Sequence, residues 1–159
     1  MLPTADVDKV LEQLAAAEMT DLVPQGLAIA HAAPPNSVSP GDLPALVNLP
    51  GPMILTQFGS DEYGDEDLEE RQYDILLMVA PRAAGVPREA YNLVTPWFAK
   101  MAEFFSSHQS LGTSNALRVV LRGDSGITQP IVYANQDYFG IRFQVTISGI
   151  RRSPYAEHE

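Results

Sequence analysis

A chain of 159 residues is enough for one domain with a real core and short for two. Twenty acidic residues against ten basic ones leave a formal charge of -10, which argues against ordinary nucleic-acid binding because such a surface repels a phosphate backbone. Cysteine is absent, which excludes disulfides and thiolate metal sites, and no apolar stretch approaches membrane-spanning length.

The opening MLPTADVDKV lacks a basic segment followed by an apolar run, so no secretory signal is expected. Residues 4–22 read as a helix, with Thr4 or Asp6 as cap and Val7, Val10, Leu11 and Leu14 on one stripe, and Pro24 ends it. GLAIAHAAPP reads as a short strand running into the proline-rich PPNSVSPGD. LPALVNLPGP is bounded by Pro44 and Pro50, which suit an edge or extended segment, and Met53–Ser60 is a further strand candidate.

An acidic run, SDEYGDEDLEERQYD, separates that strand from YDILLMVAP, whose apolar residues on both faces predict a central strand covered on two sides. Residues 88–108 predict a long helix through Tyr91, Val94, Phe98, Met101 and Phe105, with Pro96 as its flaw. Thr95-Pro96 can instead start the helix, leaving 88–94 as a separate turn. ALRVVLRG is a strand, and a hairpin through Asn135, Gln136 and Asp137 joins PIVYA to YFGIRFQVTISGIRR. In that last strand Ile141, Phe143, Val145 and Ile147 alternate with Arg142, Gln144, Thr146 and Ser148, the pattern of a half-buried strand. The expected fold is α+β, a mostly antiparallel sheet flanked by an N-terminal helix and one long central helix. It forms a single domain over 1–159, with a flexible acidic loop at about 60–71 and a frayed end from about 153.

Each candidate for chemistry has a plainer explanation. Asp61, Glu62, Asp65, Glu66, Asp67, Glu69 and Glu70 offer oxygen ligands at alternate positions, but Gly64 precedes Asp65 and breaks EF-hand spacing, so a solvated loop is expected. GDSG at Gly123–Gly126 matches the nucleophile motif of chymotrypsin-like proteases, with His31 earlier in the chain. Ile127 and Thr128 depart from that pattern, the chain is short for two barrels, and a polar turn explains the residues. RGDS at Arg122–Ser125 matches the integrin-adhesion tetrapeptide, which a turn also explains. His31, His108 and His158 lack partners at metal-ligand spacing, and no phosphate-cradling or dinucleotide fingerprint is present. No catalytic, cofactor-binding or metal residues are expected.

The order of segments resembles the tail terminator proteins of long-tailed phages, the minor tail protein U-like family and its neck-protein relatives. The likeness is carried by DLPALVNLPG with its Leu43–Ala45 segment, the acidic hairpin, YDILLMVAP, the long helix, and the closing strand with Tyr138, Gly140 and Phe143. The resemblance implies a virion structural protein that is not an enzyme and carries no cofactor. It implies a homohexameric ring that caps the tail tube, contacts the major tail tube protein and the head-completion (stopper) protein, and lets DNA pass without specific binding. It also implies a location at the head-proximal end of the virion tail, after assembly in the host cytoplasm. Six copies would carry a charge of about -60, a repulsive field around any pore. The acids Asp61, Glu62, Asp65, Glu66, Asp67, Glu69 and Glu70 are then candidates to face the lumen or a partner, and Arg142, Arg151 and Arg152 are candidate assembly contacts. Alternatives are another head-tail neck component, a small serine hydrolase using Ser125, and a monomeric adaptor binding a peptide along a strand edge.

Overall fold

The computed structural model of the chain describes residues 7–57, 66–82, 87–113 and 116–152. In chain order the elements are α1 (Val7–Leu22), β1 (Ile29–His31), β2 (Ala45–Gln57), β3 (Glu66–Pro81), α2 (Pro87–Val94), α3 (Pro96–Ser107), β4 (Arg118–Asp124), β5 (Ile131–Tyr133) and β6 (Gln136–Arg152). The sheet runs β1-β2-β3-β6-β4, with β5 paired to β6. Among the described strands only the β1–β2 pair is parallel, so the fold is α+β with a mostly antiparallel sheet.

β3 takes the centre because its sequence has two apolar faces. Tyr73, Ile75, Leu77 and Val79 pack with Ile141, Phe143, Val145 and Ile147 of β6 against the helices, where they meet Leu14, Trp97, Met101 and Phe105. Leu76 and Met78, on the other face, join Ala45, Val47, Val38, Ile131 and Tyr138 in a smaller cluster. The segment before β2 closes over that second cluster. Tyr138 donates its hydroxyl to the Val38 carbonyl at 3.3 Å, and Tyr133 donates to the Pro35 carbonyl.

Three sequence expectations change in detail. The two pieces read on either side of Pro50 are one strand, β2, which absorbs Pro50-Gly51-Pro52 through register shifts between Pro50 and Met53 and between Met53 and Leu55. Gly51 is required there, since a Cβ would lie 2.8 Å from the Gln72 carbonyl oxygen. The long helix is two, α2 and α3, divided at Thr95 with Pro96 opening the second, as its lack of an amide hydrogen dictates. The acidic loop is shorter than 60–71, because β3 begins at Glu66 and residues 66–71 pair with β6. Residues 1–6, with the expected caps Thr4 and Asp6, lie outside the described residues, as do Asp61, Glu62 and Asp65.

The last hairpin turns at Ala134 and Asn135 rather than through Asn135, Gln136 and Asp137. Tyr133 pairs with Gln136, so Ala134 and Asn135 form the loop, with φ of 50° and 64°. Positive φ at both loop positions is the type I′ signature, favourable for asparagine and costly for alanine. Ala134→Gly is expected to stabilise the fold by about 0.5–1 kcal/mol, read as a rise of about 1–4 °C in thermal midpoint.

Candidate assembly surfaces

The residues singled out for chemistry do not converge. Ser125 lies where the chain leaves β4, and its hydroxyl is committed to the backbone. Oγ donates to the Gly126 carbonyl at 2.9 Å and accepts the Arg142 amide at 2.9 Å, while Ser125 N–H donates to the Arg142 carbonyl. Asp124 Oδ1 accepts the Gly126 amide at 2.8 Å, which makes GDSG a hydrogen-bonded turn that pins the end of β4 to β6. Ser125→Ala is expected to cost about 1 kcal/mol of stability in urea denaturation. A fluorophosphonate probe is expected to leave the protein's intact mass unchanged, and an adduct on Ser125 would restore the hydrolase alternative.

His108 stacks on Phe104 at 4.4 Å between ring centroids, donates Nδ1–H to the Phe104 carbonyl, and faces Asp21 with Nε2 at 3.0 Å. It therefore ties the end of α3 to α1. His31 contributes its carbonyl rather than its ring, as acceptor for Asn48 Nδ2 at 3.0 Å. The same Asn48 nitrogen donates to Glu18 Oε1 at 2.7 Å. Glu18 and Asn48 are both 0% exposed, and Glu18 Oε2 and Asn48 Oδ1 have no partner. Burial pushes the Glu18 carboxyl up to about 8, against the lowering effect of the Asn48 hydrogen bond. The sequence reading missed this pair. Its signal was positional, because Glu18 lies four residues from both Leu14 and Leu22 on the apolar stripe of α1.

The acidic run divides. Glu69 is buried, against the expectation of a solvated loop, and pairs with Arg71 Nη2 at 3.3 Å while Arg71 Nη1 donates to the Gly51 carbonyl at 2.9 Å. Glu70 points to the other face, where it accepts the Ser148 hydroxyl at 3.3 Å. Glu66 and Asp67 stand at the end of β3, opposite Arg152 and Arg151 in register. Among the described residues no group of three or more His, Cys, Asp or Glu is placed to hold a metal ion.

What the fold does assemble is a pair of unlike flanks. At one end of the strands β2, β3 and β6 continue as a three-stranded arm. β4 is in register with β6 only as far as Ser148, whereas β3 follows β6 to Arg152, four rows or about 13 Å further. Along one side, among the described strands, β4 pairs only with β6 and forms the sheet edge. A groove of about 750 Å³ runs along that edge, bounded by Ala102, Phe105 and Ser106 of α3 and by residues 117–121. Arg118 is exposed along it; Arg122 and Arg142 are also exposed, but Arg142 lines a separate pocket with Leu76 and Ser125 on the opposite face of the sheet. Arg122 Nε donates to Thr146 Oγ1 at 3.2 Å, and among the described residues none of the three is in an ion pair.

No protein-family model matches this chain, and no curated protein matches it either.

Proposed function

We propose that this chain is a virion assembly protein of the tail terminator type, which closes into a ring, caps the tail tube and presents a surface to the head-completion protein. One observation carries this reading, the two unlike flanks of a single sheet. A ring of identical subunits needs one patch that meets a different patch on its neighbour. An arm that runs on past the end of β4 and the edge of β4 itself are two different patches and suit that requirement, whereas a two-fold dimer would use one patch twice. The formal charge of -10 per copy suits a pore through which DNA slides without adhering. In this reading the ring is a homohexamer and the exposed arginines serve contacts between subunits.

Electron microscopy of the concentrated, purified protein tests it, alone and mixed with tail tubes. The expected result is rings with a central hole and tubes capped at one end. Monomers that leave tubes uncapped would overturn the proposal.

A further inference from the structure

The core holds a polar contact that is only half made. Glu18 of α1 and Asn48 of β2 are fully buried, and Asn48 Nδ2 donates to Glu18 Oε1 at 2.7 Å and to the His31 carbonyl at 3.0 Å, which occupies both of its hydrogens. The two atoms left without a partner, Glu18 Oε2 and Asn48 Oδ1, belong to the same two groups. With Glu18 ionised both are acceptors, and two buried acceptors on touching groups cannot satisfy each other. We propose that a proton on Glu18 Oε2 makes a second hydrogen bond to Asn48 Oδ1, a two-bond acid–amide pair that latches α1 to the β1–β2 edge of the sheet, and that loss of this proton releases α1 while the long strands stay paired. This inference is independent of the tail terminator reading.

A planar carboxyl and a planar carboxamide match atom for atom, with N–H to oxygen on one side and O–H to oxygen on the other. One proton then satisfies both orphaned atoms, whereas any other solution requires two further donors. The position makes the pair a latch. β1 pairs with β2 over three rows that end at His31 and Val47, and Asn48 takes the His31 carbonyl just beyond them. α1 leads into β1 through Gly26, so helix and short strand form one N-terminal unit. β2, β3 and β6 are held by much longer ladders, which the unit can leave intact. Val10, Leu14 and Leu22 hold α1 in the core, and an ionised, half-partnered Glu18 among them opposes that packing.

The neighbouring elements bring few competing charges. β2 carries no titratable residue, β1 carries His31, and β3 brings Tyr73, whose hydroxyl burial pushes up to about 12. On α3, Lys100 donates to the Gln25 carbonyl at 2.7 Å, His108 pairs with Asp21 of α1, and Glu103 is exposed. Asp8, Lys9 and Glu12 complete the charged residues of α1. Burial, opposed by the Asn48 hydrogen bond, pushes the Glu18 carboxyl up to about 8. Release exposes a carboxyl whose ordinary value is 4.5, so the released fraction grows with pH up to about 8 and then levels off.

Hydrogen exchange of the native protein from pH 5 to 9, corrected for the intrinsic pH dependence of exchange, tests the release. Amides of α1 are expected to be less protected than those of β3 and β6, with protection falling by up to about tenfold per pH unit until about pH 8 and level beyond. Glu18→Gln keeps both hydrogen bonds, because its amide donates to Asn48 Oδ1, and α1 protection in that variant is expected to be flat with pH. Asp21→Asn, which removes the ionisable partner of His108, is expected to leave the pH response in place. Protection of α1 equal to that of β3 and β6 at every pH would overturn the local release. A pH response that survives Glu18→Gln, or that disappears with Asp21→Asn, would overturn its assignment to this proton. A crystal structure of the unaltered protein grown near pH 6 tests the pair itself. Oε2 and Oδ1 within about 3 Å of each other would support it, and a water seated between them, or a separation beyond hydrogen-bond range, would overturn it.

Discussion

Glu18→Gln is expected to remove a large part of the pH dependence of stability. In the folded protein the carboxyl of Glu18 titrates at about 8, and its ordinary value is 4.5. Between those values the native state holds a proton that the unfolded chain has released. Stability from this group is therefore complete below about pH 4.5, declines as pH rises through the interval, and is gone above about 8. Within the interval the slope is at most about 1.4 kcal/mol per pH unit. The cause is visible in the site. Both partnerless atoms, Glu18 Oε2 and Asn48 Oδ1, are acceptors, so a proton on Glu18 cancels a buried charge and adds a donor where donors are scarce. Glutamine keeps the shape and never ionises. Urea denaturation of both proteins from pH 5 to 9 should show the variant gaining on the wild type as pH rises. Parallel curves would mean that Glu18 does not titrate in this range.

The second large effect is expected at Gly140. This residue pairs with Met78 on β3, next to the irregularity that separates Met78 from Ala80. A Cβ placed on Gly140 would lie 1.8 Å from the Leu77 carbonyl oxygen and 2.9 Å from its carbonyl carbon. Those atoms belong to the backbone of the central strand, so no side-chain rotation relieves the contact. Gly140→Ala must push β6 off β3 at the core, at an expected cost of about 3 kcal/mol or more. The readout is the urea midpoint, or soluble yield if the variant falls below the folding threshold. Gly123→Ala is the control, because nothing lies within 4 Å of a Cβ at that position. If the two substitutions cost the same, the close approach at Gly140 is not what matters.

Where pattern and packing agree, the sequence was informative. The alternation Ile141, Phe143, Val145, Ile147 became the helix-facing side of β6, and the doubly apolar YDILLMVAP became the central strand. Pro50 and Pro52 misled because proline is read locally as a break, whereas pairing with β3 before and after the bulge can hold β2 together as one strand. Glu18, Asn48 and Glu69 were illegible for a related reason. A polar residue on an apolar face reads as an error in the pattern, and only the tertiary structure supplies the partner that makes it tolerable. The β4 groove was beyond reach, since α3 and β4 are neighbours in the chain but only the strand order of the sheet leaves β4 at an edge beside the helix.

The pairing of β3 with β6 also sets the order of events when the chain is made. Glu66–Pro81 meets its principal partner only after Gln136–Arg152 has been synthesised. Until then β2 and β3 form a hairpin with one long apolar edge and an apolar face, the kind of species that associates with the wrong neighbour. Contacts between segments so far apart in sequence also make for slow folding. The emergence of β6 from the ribosome is thus the step that closes the sheet over an adhesive intermediate, and premature termination before residue 136 should yield aggregate rather than a smaller folded core.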